Sequence, residues 1–299
     1  MAAREVQVIL SSGVALLLAA CAAAYDTVNF TYSGANGPSA WGSLCPQYRL
    51  CSEGKRQSPI NIVNADAEYN PKLIRLRRNY RACSNATLLD NHCNIALRYD
   101  EDVGYVVVEG KKYSLLQMHW HSPSEHTIDG ERFPVELHLV HKSVDGNITV
   151  VAVLYQFGRA DPLLIQVIMN KLDFVCFLPF WETMIKQSIA TGLQLKDKMA
   201  ELKKEVLAGD EQARVPVGVV KMRSLKQHTR KYYRYVGSLS TPPCTENVVW
   251  NVLGEARKMS RRQAAELQAP LKEAYRRNAR PAQALNGRVV QVYDESRSQ

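Results

Sequence analysis

The stretch "QMHWHSPSEH", Gln117 to His126, places three of the chain's seven histidines within eight positions. His119 and His121 stand two apart in the strand-like run "KYSLLQMHWH". Both rings therefore leave the same face of a strand, about 6–7 Å apart along it. Two imidazoles converge on an ion but do not hold it alone. The next strand-like run, "FPVELHLVHK", offers His138 or His141 as a third ligand. Gln117 and Glu136 each sit two residues before a histidine, His119 and His138, and so share its face. There they can accept the second ring proton and fix the tautomer. Three neutral nitrogens would leave the double charge of Zn²⁺ uncompensated, which lowers the pKa of a bound water to about 7. Thiolates would cancel that charge, so this donor set points to hydroxide chemistry over a structural metal.

Outward from this stretch the pattern stays strand-like, through "NIALRYD", "GYVVVEG" and "ITVVAVLYQF", each closed by a turn signal such as Asp129-Gly130 or Asp145-Gly146. Short turns between consecutive strands imply antiparallel pairing. Helical periodicity follows in "LLIQVIMNKL" and "LKDKMAELKKEVL". Strands return at "VGVVKM", "YYRYVGSL" and "NVVWNVL". A basic helix, "SRRQAAELQAPLKEAYR", with a Ser260–Gln263 capping box, precedes a last strand, "GRVVQVY". The expected fold is mainly β with peripheral helices, built on a large, mostly antiparallel sheet.

The chain has 299 residues and no compositional break, which suits one domain over 25–299. Residues 1–24 read as a signal peptide, with "VILSSGVALLLAACAAAY" as its apolar run. That run is short for a membrane span, and the weakly charged start argues against a lipoprotein site at Cys21. Three glycosylation sequons, at Asn29, Asn85 and Asn147, agree with export. Beyond the signal lie six cysteines, Cys45, Cys51, Cys83, Cys93, Cys176 and Cys244, an even number that permits disulfides without specifying them. A soluble product of the secretory pathway is expected, extracellular, vacuolar or in an organelle reached that way. The net charge is +9, with basic clusters at "RLRR" (75–78), "RKMSRR" (257–262) and "YRRNAR" (275–280). No nucleic-acid motif accompanies them, so they read as solvated faces or as attraction for small anions and acidic surfaces.

Taken together, "QMHWH", "SEH", "ELHLVH", "GKRQSPINI", "GSLSTPPCTENVVW" and "NARPAQALNGR" closely resemble the α-class carbonic anhydrases. "FTYSGANGPSAWGSLCPQYRLC" and "RKYYRYVGSL" look most like the plant-type branch. The resemblance implies the twisted central sheet of that family and the zinc-dependent, reversible hydration of carbon dioxide by attack of zinc-bound hydroxide. By the same resemblance His119, His121 and His138 match the zinc ligands, and Gln117, Glu136 and the backbone carbonyl of Asn278 match the groups that orient them. Glu125, Ser240 and Thr241 match the gate around the hydroxide. Ser240 stands where the family usually has threonine, and it lacks the methyl that restrains the rotamer. Val140, Val153, Leu239 and Trp250 match the apolar wall for CO₂. Cys51 and Cys244 resemble the bridge of exported members.

Two departures stand out. Fast members place a histidine in the cavity as proton shuttle, whereas an ungapped alignment puts Cys93 there, with His92 one place earlier. A thiol relays protons poorly at neutral pH. The apolar segment "DFVCFLPFWETMIKQSIATGLQ" (173–194) is an insertion, read as an added packing element, a partner surface or retained non-coding sequence. The alternative function is a catalytically weak storage or binding protein on the same fold, as in the dioscorins of tubers.

Overall fold

A computed structural model describes residues 30–99, 101–166, 193–207, 213–222, 225 and 229–297. The expected signal peptide, Asn29, Cys176 and all of the 173–194 segment before position 193 lie outside the described residues.

The strands are, in chain order, β1 (Asn61–Ile62), β2 (Glu68–Tyr69), β3 (Arg77–Tyr80), β4 (Cys83–Asp90), β5 (Ile95–Tyr99), β6 (Gly104–Val108), β7 (Lys111–His121), β8 (Thr127–Ile128), β9 (Glu131–Arg132), β10 (Val135–Lys142), β11 (Ile148–Phe157), β12 (Arg214–Lys221), β13 (Lys231–Ser238), β14 (Glu246–Leu253), β15 (Arg257–Met259) and β16 (Gln291–Asp294). Thirteen of them form one sheet, in the order β12-β4-β5-β7-β10-β11-β14-β13-β16-β2. In that sheet β6 also joins β7 and β3, and β15 joins β11. The expectation of a mainly β, mostly antiparallel fold is met. Within this sheet the parallel pairings are β11 with β14, β11 with β15, and β16 with β2. These strands are far apart in sequence, so no tight turn announces them.

The centre of the sheet is sequential in β7, β10 and β11, and here the register places the site. His138 on β10 pairs with His119 on β7 and with Ala152 on β11. Directly paired residues share a face. The histidines, Ala152 and the Trp250 face of β14 therefore form one side, where Ala152, Leu154, Tyr235 and Trp250 pack. The intervening residues Met118, Leu137, Leu139 and Val153 enter the larger core on the other side. β11 is buried on both sides, and its sequence is accordingly apolar almost throughout.

The helix expected over 260–276 spans only Arg261–Gln268, followed by a single 3₁₀ turn at Glu273–Tyr275. Pro270 has no N–H to continue the ladder. The Ser260–Gln263 capping box forms as expected.

Candidate metal centre

Three imidazoles from two neighbouring strands converge beneath the sheet's apolar wall. Ring centroids lie 5.0 Å apart for His119 and His121, 5.1 Å for His119 and His138, and 4.6 Å for His121 and His138. One donor nitrogen from each lies within 4.8 Å of the others. His121 and His138 are buried, while His119 is partly open.

Hydrogen-bond acceptors behind each ring decide which nitrogen carries the proton. Gln117 Oε1 accepts from His119 Nδ1 at 2.9 Å, and the Asn278 carbonyl accepts from His121 Nδ1 at 2.6 Å. Glu136 Oε1 accepts from His138 Nε2 at 2.7 Å. Each ring thus turns a bare lone pair toward the common centre. His121 Nε2 is buried with no hydrogen-bond partner among the described residues, an orphan that a cation would satisfy. Burial first, and the neighbouring rings after it, hold His119 well below the usual imidazole range. Burial also lowers His121. Neutral donors of this geometry fit zinc.

His141, the other candidate on β10, is an odd number of residues from His138 and leaves the opposite face. There it bonds Tyr80 at 2.7 Å.

The Glu136 carboxylate is the hub. Its Oε2 accepts the backbone N–H groups of Glu125 and His126, both at 2.8 Å. Its Oε1 is shared by His138 and by His126 Nδ1 at 2.7 Å. Burial opposes its ionisation, yet the His126 and His138 rings hold it well below the usual carboxylate range. His126 Nε2 meets the Tyr235 hydroxyl at 2.7 Å, and Tyr235 meets Ser58 Oγ at 2.9 Å. The proton order that satisfies every member runs from Ser58 to Tyr235 to His126 to Glu136. A second cluster, His126, Glu136 and His138, is near enough for a metal, but its polar atoms already serve this chain. Gly237 makes room for it, since a Cβ there would fall 2.1 Å from Ser58 Oγ.

Glu125, fully buried, accepts from the Arg280 backbone N–H at 2.9 Å through Oε1. Its Oε2 lies 3.6 Å from His121 Nε2 and has no hydrogen-bond partner among the described residues. Glu125 and Ser240, both assigned to the gate by resemblance, are therefore not hydrogen-bonded to each other here. Serine lacks the methyl that would confine its hydroxyl. Ser240 is nonetheless buried beside Thr241, whose carbonyl accepts from Cys244 N–H at 2.9 Å.

The Arg280 side chain donates to Gln57 Oε1, the Ser58 carbonyl and the Cys51 carbonyl at 2.8, 2.8 and 2.7 Å. Cys51 is bridged to Cys244, as the resemblance implied. Cys83 is disulfide-bonded too, and Cys45 and Cys93 are free. His126, Tyr235, Ser58 and Arg280 were not singled out from the sequence. Only the Glu136–His126 link joins nearby positions, and it crosses a loop that no periodicity describes.

One residue of the apolar wall is corrected. Val153 packs into the core on the opposite face, whereas Val150 pairs with both Trp250 and Val140. The wall is Val140, Val150, Leu239 and Trp250. The two valines are an odd number of residues apart, so they cannot share a face. The parity of His138 and Ala152 marks the right one.

Of the proton-transfer candidates, Cys93 is buried. Burial, then the charges of Asp90 and Glu125, push its thiol up to about 12. His92 is exposed, at φ 60° in the turn before β5. Asn85 is exposed on β4, and Asn147 is exposed in the turn before β11.

Comparison with known proteins places this geometry. The family model of eukaryotic-type carbonic anhydrase matches residues 36–177 and 180–294, breaking inside the 173–194 segment. Alpha carbonic anhydrase 7 of Arabidopsis thaliana is 37% identical over 265 residues, covering 89% of this chain and 84% of that one. Dioscorin DB3L of Dioscorea polystachya is 34% identical over 274 residues, covering 91% and 88%. Among solved structures, dioscorin complexed with ascorbate superposes with TM-score 0.75 at 32% identity, covering 89% of this chain and 98% of that chain. The α-carbonic anhydrase of Thermovibrio ammonificans with the inhibitor sulfanilamide gives 0.69 at 34%, covering 88% and 99%. The fold and the three-histidine cluster are those of a zinc-dependent class. The chain belongs to the eukaryotic-type, or alpha, carbonic anhydrase family.

Proposed function

We propose that this chain is a zinc carbonic anhydrase that interconverts carbon dioxide and bicarbonate. The observation that carries this reading is the set of three proton-free nitrogens, each fixed by its own acceptor. Zinc held by His119, His121 and His138 would supply a Lewis acid that makes water nucleophilic at neutral pH. Val140, Val150, Leu239 and Trp250 hold a small apolar substrate beside those nitrogens and exclude water. The unpartnered Oε2 of Glu125 can accept a hydrogen bond from the Ser240 hydroxyl, whose own oxygen is then left to accept one from the attacking group. The rigid β7–β10 pairing supplies the positioning that a substrate with little binding energy of its own requires.

Cys93 does not take up a proton at neutral pH, so the last proton leaves through small buffer molecules, and turnover rises with buffer concentration. The Cys51–Cys244 bridge favours an oxidising compartment. With the N-terminal apolar run and the exposed Asn85 and Asn147, it supports export. No helix among the described residues is long and apolar enough to cross a membrane.

The competing reading is a dioscorin-like storage or binding protein, favoured by the open Ser240–Glu125 contact and by the dioscorin relatives. Stopped-flow CO₂ hydration, with sulfanilamide as inhibitor, separates the two. Inhibitable hydration supports the enzyme. A folded, zinc-loaded chain that does not hydrate CO₂ supports the competitor.

A further inference from the structure

The metal centre opens to solvent on the side where Arg98 stands. On β5, Arg98 pairs with Gln117 of β7 and with Thr87 of β4. Directly paired residues share a face, and Gln117 is the acceptor that holds His119. Arg98 is therefore on the histidine face and diagonal to His119. Such neighbours lie about 7–8 Å apart, within reach of a long side chain. Burial falls along the same path: His121 is buried, His119 and Gln117 are half-buried, and Arg98 is exposed. Ala96, the partner of His119 on β5, adds only a methyl group on that side.

The mechanism proposed above gives Arg98 no role, and among the described residues nothing offsets its charge. Its partners Gln117 and Thr87 are neutral, as are Asn85 and Leu89, diagonal to it on β4. In β4, β5, β7, β10 and β12 the acids are Asp90 and Glu136. Asp90 pairs with Ile95 and so leaves the opposite face, where Ile95 enters the core. Glu136 is already engaged by two rings and two backbone N–H groups. An uncompensated charge at a cleft with an apolar wall is focused into it. Here that wall is Val140, Val150, Leu239 and Trp250.

We infer that Arg98 draws small monovalent anions to the mouth of this site and so strengthens the hold on bicarbonate while leaving carbon dioxide unaffected. Of the two partners in the proposed reaction, only bicarbonate carries a charge for the guanidinium to act on. The choice of bicarbonate rests on the catalytic reading, whereas the attraction itself rests on the placement of Arg98.

The test is calorimetric titration of the zinc-loaded chain with thiocyanate, an unreactive monovalent anion, beside stopped-flow CO₂ hydration at fixed alkaline pH. Arg98→Gln should weaken thiocyanate about two- to fivefold, the effect of one exposed unit charge near the site. Arg98→Lys keeps the charge and should bind as the wild type does. The gap between wild type and Arg98→Gln should close as salt rises past about 0.1 M. In all three proteins kcat/KM for CO₂ should agree, which a merely structural role for Arg98 would not allow. Equal affinity in wild type and Arg98→Gln would overturn the inference, and so would its cancellation by Asp100, which lies outside the described residues. Loss of affinity in Arg98→Lys, or no saturable binding of thiocyanate to the wild type, would overturn it too. A zinc-loaded wild type that does not hydrate CO₂ would defeat the catalytic reading alone, and the thiocyanate comparison would still decide the role of Arg98.

Discussion

At the scale of single residues, Glu136 does the most. One buried carboxylate accepts two ring protons and two backbone N–H groups, so it fixes His138, His126 and the Glu125 backbone together. Glu136→Gln keeps the shape but cannot accept at every position. It should weaken zinc binding about 10- to 100-fold in a chelator competition, as removal of such supporting acceptors does. Unchanged affinity would refute its role. Gln117 and Glu136 were legible because each shares the face of the histidine two positions on. His126 and Tyr235 were not, since their bond joins positions 109 apart, with several strands of the sheet between them. Cys93 gives a pH test. Its raised pKa means that the reactive thiolate is scarce until pH nears 12. Iodoacetamide between pH 7 and 9 should alkylate half-buried Cys45 and spare Cys93 in the native protein, as peptide masses would show. Rapid modification of Cys93 would contradict the burial that stops it from relaying protons.

At the scale of elements, the two-residue period of β11 assigns its side chains. Val150 faces Trp250, and Val153 faces the core behind. Val150→Phe should therefore cut CO₂ hydration sharply, with an overpacking cost of about 1–3 kcal/mol in stability. Val153→Ala should cost about 2 kcal/mol of stability, as a buried truncation does, with kcat/KM unchanged. The reverse pattern, measured by stopped flow and urea unfolding, would put the parity wrong. The hairpins from β6 to β11 could be read from sequence because alternation and turn residues mark them locally. The parallel contacts of β11 with β14 and β15 could not, because only tertiary packing brings those strands together. The end of the last helix was misplaced by giving its 3.6-residue period more weight than Pro270.

At the scale of the whole molecule, the Cys51–Cys244 bridge closes a sequence separation of 193 residues. It also anchors the Cys51 carbonyl that holds Arg280, which in turn holds Glu125. Replacing both cysteines by serine should cost up to about 5 kcal/mol on the chain-entropy estimate, read from denaturant unfolding. A cost near zero would mean that the segment around Cys51 is held by Trp41 and its aromatic neighbours alone. The pairing was legible only by resemblance, since six cysteines allow many connectivities. The central claim is that three strand-borne histidines hold a catalytic zinc. It is tested most directly by measuring zinc content and CO₂ hydration on the same purified sample, for the wild type and His138→Ala. Expected is about one zinc per chain with fast hydration in the wild type, and both lost together in the folded variant. Full zinc without hydration in the wild type, or hydration that survives His138→Ala, would contradict it.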